Sequence, residues 1–212
     1  MVSVLLQRAA RLSIGYLLMV SRVSTAGSLL KRLMPDAVLV ATYAQVCCAR
    51  RDWPPCADIW NFRRDWTKEK RRLKAELASW QFRFGVLDRI WKCNGSEIEL
   101  WEARDALVLK TMSIVLWLLL RGSPRCTRVK SHGGVKATVQ LLNAQLPANR
   151  FVLRTGVKSY YACIYHVLLM DRLARSVRDR TILNHCGQYL KRTAEQGGWF
   201  WSHERWISSG CP

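Results

Sequence analysis

Acidic residues are scarce in this sequence. Fifteen Asp and Glu stand against 34 Lys and Arg, a net charge of +19. A field of that sign disfavours cationic partners and favours a polyanion, either nucleic acid or an acidic membrane surface. Long apolar runs are missing as well. The best candidate, Thr111 to Leu120, is closed off by Lys110 and Arg121. It falls well short of the roughly 18 apolar residues that span a bilayer, and it reads as a buried core helix. Metal-ligand spacings are absent. Cys47, Cys48, Cys56, Cys93, Cys126, Cys163, Cys186 and Cys211 form no C-x-x-C pair, and His132, His166, His185 and His203 form no H-x-x-x-H pair. No structural zinc site is expected. Cysteines scattered through the apolar runs of a long chain read as reduced, buried thiols of a cytoplasmic protein. No internal repeat and no low-complexity linker interrupts the chain.

What is present is enough apolar material for a real core. Half of the 212 residues are hydrophobic, which excludes a disordered tail. The first 35 residues stand apart. They carry Arg8, Arg11, Arg22, Lys31 and Arg32, no acidic residue, and an apolar run from Ile14 to Val20. That composition suits an N-terminal extension without defined structure, a targeting segment, or the anchor of a membrane-associated basic protein.

From Asp36 onward the pattern is helical. Asp36 caps a helix to about Arg50 with Val38, Leu39, Tyr43 and Val46 on its apolar face. Pro54-Pro55 breaks the chain, and Asp58 opens a long helix to about Trp80. Ile59, Phe62, Trp66, Leu73, Leu77 and Trp80 recur there at helical spacing. Its other face holds Arg63, Arg64, Lys68, Lys70, Arg71, Arg72 and Lys74, the densest positive patch in the chain. Trp60, Trp66 and Trp80 lie among these cations, a combination that suits nucleic-acid contact. A hairpin is expected over Phe82–Trp91 and Glu97–Trp101, turned at Asn94-Gly95. A helix follows over 103–120, then a cationic loop with Arg125, Arg128 and Lys130, then a helix to about Leu146 carrying Lys136. Pro147-Ala148-Asn149 turns the chain into a short strand at Phe151–Thr155. Further helices are expected after Ser159 and over 181–194, and Trp199 to Pro212 is aromatic.

Several stretches resemble, in order, the reverse transcriptases of bacterial retroelements, the retron and group II intron kind. TYAQVCCARRDWPPCADIWNFRRDWTKEKRRLKAELASWQFRFG is similar to that family's N-terminal helices and first finger strand. DRIWKCNGSEIELWEARDALVLKTM is similar to the next finger strands, and RCTRVKSHGGVKATV to the segment before the palm. RFVLRTGVKSYYACIYH resembles the active-site strand and the helix after it, and ISSGCP the start of the next palm motif. The resemblance covers roughly Pro35 to Pro212.

It implies an α+β, mainly helical fold: the fingers (36–149) and an incomplete palm (150–212) of a right-hand polymerase behind the extension 1–35. In the intact family two Mg²⁺ ions held by Asp carboxylates drive RNA-directed DNA synthesis. Here Gly156 stands where the strand-ending Asp belongs, and a glycine ligates no metal. Asp171 and Asp179 follow on later helices, where neither reaches the strand end. Tyr165 stands where a second Asp is frequent in the subgroup, and Trp206 where the next motif starts with Gly. The expectation is a catalytically inactive, truncated member with no metal site of its own, and a second polypeptide completing the palm is one partner this leaves open. The implied partner is RNA or DNA. By resemblance Tyr161 takes the place of the gate against the ribose 2′-hydroxyl, with Tyr160 beside it. Arg154, Lys158, Lys130 and Lys136 become candidate phosphate contacts beside Arg63, Arg64, Lys68, Arg71, Arg72, Lys74, Arg125 and Arg128. The alternatives are a non-catalytic basic module for RNA or DNA and the membrane-associated protein. A strand without its palm neighbour also leads us to expect order from about Asp36 to Leu146 and marginal stability beyond.

Overall fold

A computed structural model describes residues 36–91, 95, 97–120, 123, 126, 133–149, 151–202 and 204–207. The chain divides into two compact units, Met1–Leu119 with Tyr161–Pro212, and Leu120–Tyr160. The fold is α+β and mainly helical.

The first unit opens with α1 (Asp36–Ala49), α2 (Asp58–Arg64) and α3 (Trp66–Ala78). Strands β1 (Leu87–Trp91) and β2 (Glu97–Leu100) and helix α4 (Ala103–Leu119) follow. After the second unit come α6 (His166–Ser176), α7 (Arg180–Leu190), β3 (Thr193–Gln196) and β4 (Trp199–Ser202). The second unit holds α5 (Gly134–Gln145) and a short 3₁₀ turn at Leu146–Ala148.

Helix α4 is apolar nearly all round and is buried accordingly. Ala106, Leu107, Val108, Met112 and Val115 are each at most 3 % exposed. It packs on α1, whose Val38, Leu39 and Val46 are buried. The hydroxyls of Thr42 and Thr111 meet between the two helices at 3.4 Å, and each also donates to its own helix, to Val38 O and Leu107 O. No polar atom of that pair is left bare in the apolar interface. Among the described residues no helix is long and apolar enough to cross a membrane.

The helix expected over 58–80 is interrupted at Asp65, which has φ −97° and ψ 16°. Aspartate is a poor interior helix residue. Its carboxylate is held by the neighbouring Arg64 guanidinium at 3.2 Å, and its carbonyl accepts from the Lys68 and Glu69 amides. Ile59, Phe62, Leu73 and Leu77 are buried as the spacing requires. Trp80 follows the end of α3 at φ 64°. The Gln81 amide bonds back to Glu76 O, a helix-ending turn that ordinarily places glycine where Trp80 stands.

The four strands form one sheet in the order β2-β1-β3-β4. The expected hairpin is present as β1 and β2, antiparallel, with Arg89 opposite Glu99. Gly95 in its turn has φ 75°, and Asn94 lies outside the described residues. Of the second hairpin, β3–β4, the sequence shows the Gly197-Gly198 turn and the aromatic run after it. Thr193 and Ala194 stand in β3 and not at the end of the helix expected over 181–194. The hairpin turns on Gly197 and Gly198, both at positive φ, and β3 pairs in parallel with β1, Leu87 with Ala194. Leu87 and Ala194 are buried beneath the sheet beside Phe82, Ile182 and Leu190.

Two expectations are corrected here. Residues 151–157 form no strand, and Phe151 and Leu153 are each 88 % exposed. The run has strand-forming residues, but β-propensity alone does not make a strand. The first unit also buries side chains beyond Tyr161. Helix α7 buries Thr181, Ile182, His185, Cys186 and Leu190, and Asp179 caps it, accepting from the Thr181 and Ile182 amides. Val139 and Leu142 are exposed on α5. Of the thiols expected to be buried, Cys48, Cys56, Cys126 and Cys163 are exposed, Cys47 is half-buried, and Cys186 alone among the described cysteines is buried.

Candidate nucleic-acid interface

The cations predicted on one helix lie on α2 and α3, and Arg63, Arg64, Lys68, Arg71, Arg72 and Lys74 are all exposed. Their charge is not all free. Asp36, in the first turn of α1, takes Lys74 at 2.5 Å and Lys70 at 3.1 Å. Those two ammonium groups hold the Asp36 carboxyl below its usual range, Lys74 contributing most. Arg72 pairs with Glu76 at 2.8 Å and faces Glu69 at 3.9 Å. Arg64 is on Asp65, and Arg63 lies over the Trp60 ring, 5.0 Å from its centre. The side chains of Lys68 and Arg71 have no hydrogen-bond or ion-pair partner at contact distance among the described residues. They are the cations of this face most available to a phosphate.

The three tryptophans divide. Trp66 stacks on Tyr43, with ring centres 3.9 Å apart and an angle of 16°, and meets Phe62 edge-on. It belongs to the core of the helical layer. Trp60 donates its indole N–H to Pro54 O and carries Arg63 on its face. Trp80 is 46 % exposed. A bulky residue at positive φ is held there against its own backbone preference, so the turn displays an indole where glycine would relax it.

Sequence reading passed over a further aromatic set on the sheet. Trp91 is 60 % exposed, Trp199 78 % and Phe200 63 %. Arg89 lies 4.3 Å above the Trp201 ring. The signal was the Trp199-Phe200-Trp201 run, which alternates across a strand once β4 is known to be one. Beneath it, Glu99 lies 3.6 Å from both Arg89 and Arg192 with its side chain almost wholly buried. Burial raises the Glu99 carboxyl pKa, and Arg192 and Arg89 oppose that rise.

Lys136, Arg154, Lys158 and Gly156 lie in the second unit; Arg125, Arg128 and Lys130 lie outside the described residues. A side chain added at Gly156 would meet open space, but the position itself presents no ligand. Among the described residues no group of three or more His, Cys, Asp or Glu is arranged to hold a metal ion. Among the described residues the carboxylates of a two-Mg²⁺ centre are not brought together. Tyr161, in a 3₁₀ turn of the first unit, is half-exposed, and its carbonyl accepts from the Ile207 amide at 2.9 Å. The Trp206 amide donates to Ile164 O and the His166 amide to Glu204 O. The His166 ring nitrogen Nε2 lies 2.9 Å from Trp206 O. The segment after the predicted active-site strand is thus tied to the one before Ile207.

No family model matches the chain, and no curated protein matches it. Solved structures do. One is described as a "Partial Cas6-RT-Cas1--Cas2 complex", with TM-score 0.57 and 12 % identity over 90 % of this chain and 33 % of that one. Another is described as a "Cas6-RT-Cas1--Cas2 complex", with the same score and identity over 90 % of this chain and 21 % of that one. At that identity the likeness is one of fold. The chain spans a third or less of these neighbours.

Proposed function

We propose that this chain is a reverse-transcriptase-like protein of the retroelement kind that binds RNA or DNA without polymerising. The observation that carries the reading is the fold likeness over nine-tenths of the chain to complexes whose names include RT, taken as reverse transcriptase. Charge supports it, since +19 favours a polyanionic partner. So do the exposed cations Lys68 and Arg71 on α3 and the exposed indole of Trp80 just past its end, since cations serve backbone contact and rings serve base stacking. The non-catalytic part rests on Gly156, which offers no carboxylate where the resemblance requires one, and a two-metal reaction fails without its ligands.

The test is direct. The purified chain, titrated into a fluorescein-labelled single-stranded RNA, should bind it with or without Mg²⁺. The same protein, given a labelled primer on an RNA template with nucleotides and Mg²⁺ or Mn²⁺, should leave the primer unextended. Template-dependent extension above a protein-free control would refute the non-catalytic reading. Failure to bind either RNA or DNA at low salt would refute the binding reading.

A further inference from the structure

Away from the cationic face of α3, a cleft of about 390 Å³ opens between Phe84–Val86, ahead of β1, and one side of α7 running into β3. Three cations line it, Arg83, Lys191 and Arg192, with the side chains of Asn184 and Gln188 and the backbone at Gly187. No carboxylate lines it. Its volume lies at the lower end of the roughly 300–1,000 Å³ typical of ligand clefts.

The cations are held in place. Arg83 donates from Nη1 to Trp80 O at 2.9 Å and to Phe82 O at 2.8 Å, which fixes the guanidinium at the mouth of the cleft. Arg192 is 5 % exposed. Its Nη1 donates to Tyr189 O at 3.1 Å, and the Tyr189 ring lies 4.9 Å from the guanidinium carbon. Its Nε is buried without a hydrogen-bond partner, as is its Nη2, which stands 3.6 Å from Glu99. Glu99 and the rings of Trp101, Tyr189 and Trp206 hold this buried guanidinium, so Arg192 contributes its charge to the cleft wall while Arg83 and Lys191 are exposed. Lys191 is exposed beside it and has no ion-pair partner among the described residues.

We propose that this cleft is a phosphate-binding site, taking a phosphate group carried either by a small phosphorylated molecule or by a nucleic-acid backbone. A cleft lined by three cations and by no carboxylate suits phosphate oxygens. Lys191 adds a mobile point charge, and Asn184 and Gln188 supply amide donors. The site stands on geometry separate from the proposed RNA-binding face, and its fate is independent of that reading.

The experiment is titration calorimetry of the full chain with sodium pyrophosphate and with a five-nucleotide RNA at matched ionic strength, using sodium chloride as the blank. Lys191→Gln and Asn184→Ala are the variants, because both residues are exposed and their loss spares the fold. Arg192→Lys serves as a second probe, with thermal unfolding to confirm that it folds. Pyrophosphate binding weakened about tenfold in Lys191→Gln, as loss of one charge-assisted bond implies, supports a site for small phosphates. RNA binding weakened likewise, with pyrophosphate inert, supports the backbone source. Wild-type protein that binds neither probe, or binding unchanged in Lys191→Gln and Asn184→Ala alike, overturns the proposal. Pyrophosphate binding by a chain that binds neither RNA nor DNA at low salt would leave this site standing while refuting the proposed function.

Discussion

The Asp36 carboxylate holds the Lys74 ammonium at 2.5 Å, tying the first turn of α1 to the middle of α3. One aspartate, shared with Lys70, thus withdraws two cations from the surface most suited to a polyanion. Asp36→Asn should free both. We expect tighter RNA binding at low salt and a log–log salt slope steeper by roughly 0.7 for each lysine that reaches a phosphate. Because the pair is exposed, the melting temperature should move little. Anisotropy titrations at several salt concentrations check this, and an unchanged slope would show that neither lysine meets the nucleic acid.

The unequal pairing of the α3 cations makes a second prediction. Charge reversal at Lys68 and Arg71 together should weaken RNA binding more than reversal at Arg64 and Arg72, whose carboxylate partners already screen them. The readout is the same titration. Equal losses would mean that the internal ion pairs dissolve on binding.

Gly156 has room for a side chain, so Gly156→Asp should fold as the parent does. One carboxylate does not make a two-metal cluster, and primer extension by that variant should stay at background. Extension by Gly156→Asp would show that the remaining ligands are already in place.

Asp105 offers a test by pH. Burial pushes its carboxyl from 3.8 up to about 6, partly opposed by the Gly85 amide that donates to it at 2.7 Å. The folded chain therefore holds that proton more tightly than the unfolded chain. The stability it contributes is full below pH 4 and is lost as pH rises through 4 to 6, an effect on the order of 3 kcal/mol. Asp105→Asn should remove this component. Urea unfolding of both proteins from pH 4 to 7 gives the difference, which should grow in favour of the variant as pH rises. A difference that shrinks would show the carboxyl to be ionised throughout.

Hydrogen exchange checks the sheet. Amides at 151–157 lie outside any strand and should exchange near the intrinsic rate. Those of β1 and of α7 should be among the slowest in the chain.

The helices were legible because apolar residues at helical spacing fix which side is buried. Ile59, Phe62, Leu73 and Leu77 needed no tertiary knowledge. The β1–β2 hairpin announced itself through Asn94-Gly95. The strand expected at 151–155 is absent because β-propensity records only fitness for a pleated surface and does not itself supply a pairing partner. β3 itself, Thr-Ala-Glu-Gln, has little strand character, and its place comes from Ala194 fitting beside Leu87. The basic face was visible in sequence, but its neutralisation by Asp36 was not, since that carboxylate lies more than thirty residues upstream. The cleft under α7 was hidden for a related reason. Lys191-Arg192 reads as ordinary cations complementing a helix end, and only folding sets them opposite Arg83.

The parallel pairing of β1 with β3 has a consequence for how the chain is made. Leu87 waits for Ala194, a partner about a hundred residues later, which at a ribosomal rate of about 5–20 residues per second arrives roughly 5–20 seconds afterwards. During that interval the β1–β2 hairpin stands with one edge open and with Arg89 and Glu99 already placed opposite each other. A nascent chain in this state is open to edge-to-edge pairing. The charged pair on the hairpin guards it until α7 and β3 emerge to close the sheet. Loss of Arg89 or Glu99 should therefore show first as poor yield during synthesis, and only afterwards as a lower melting point of whatever folds.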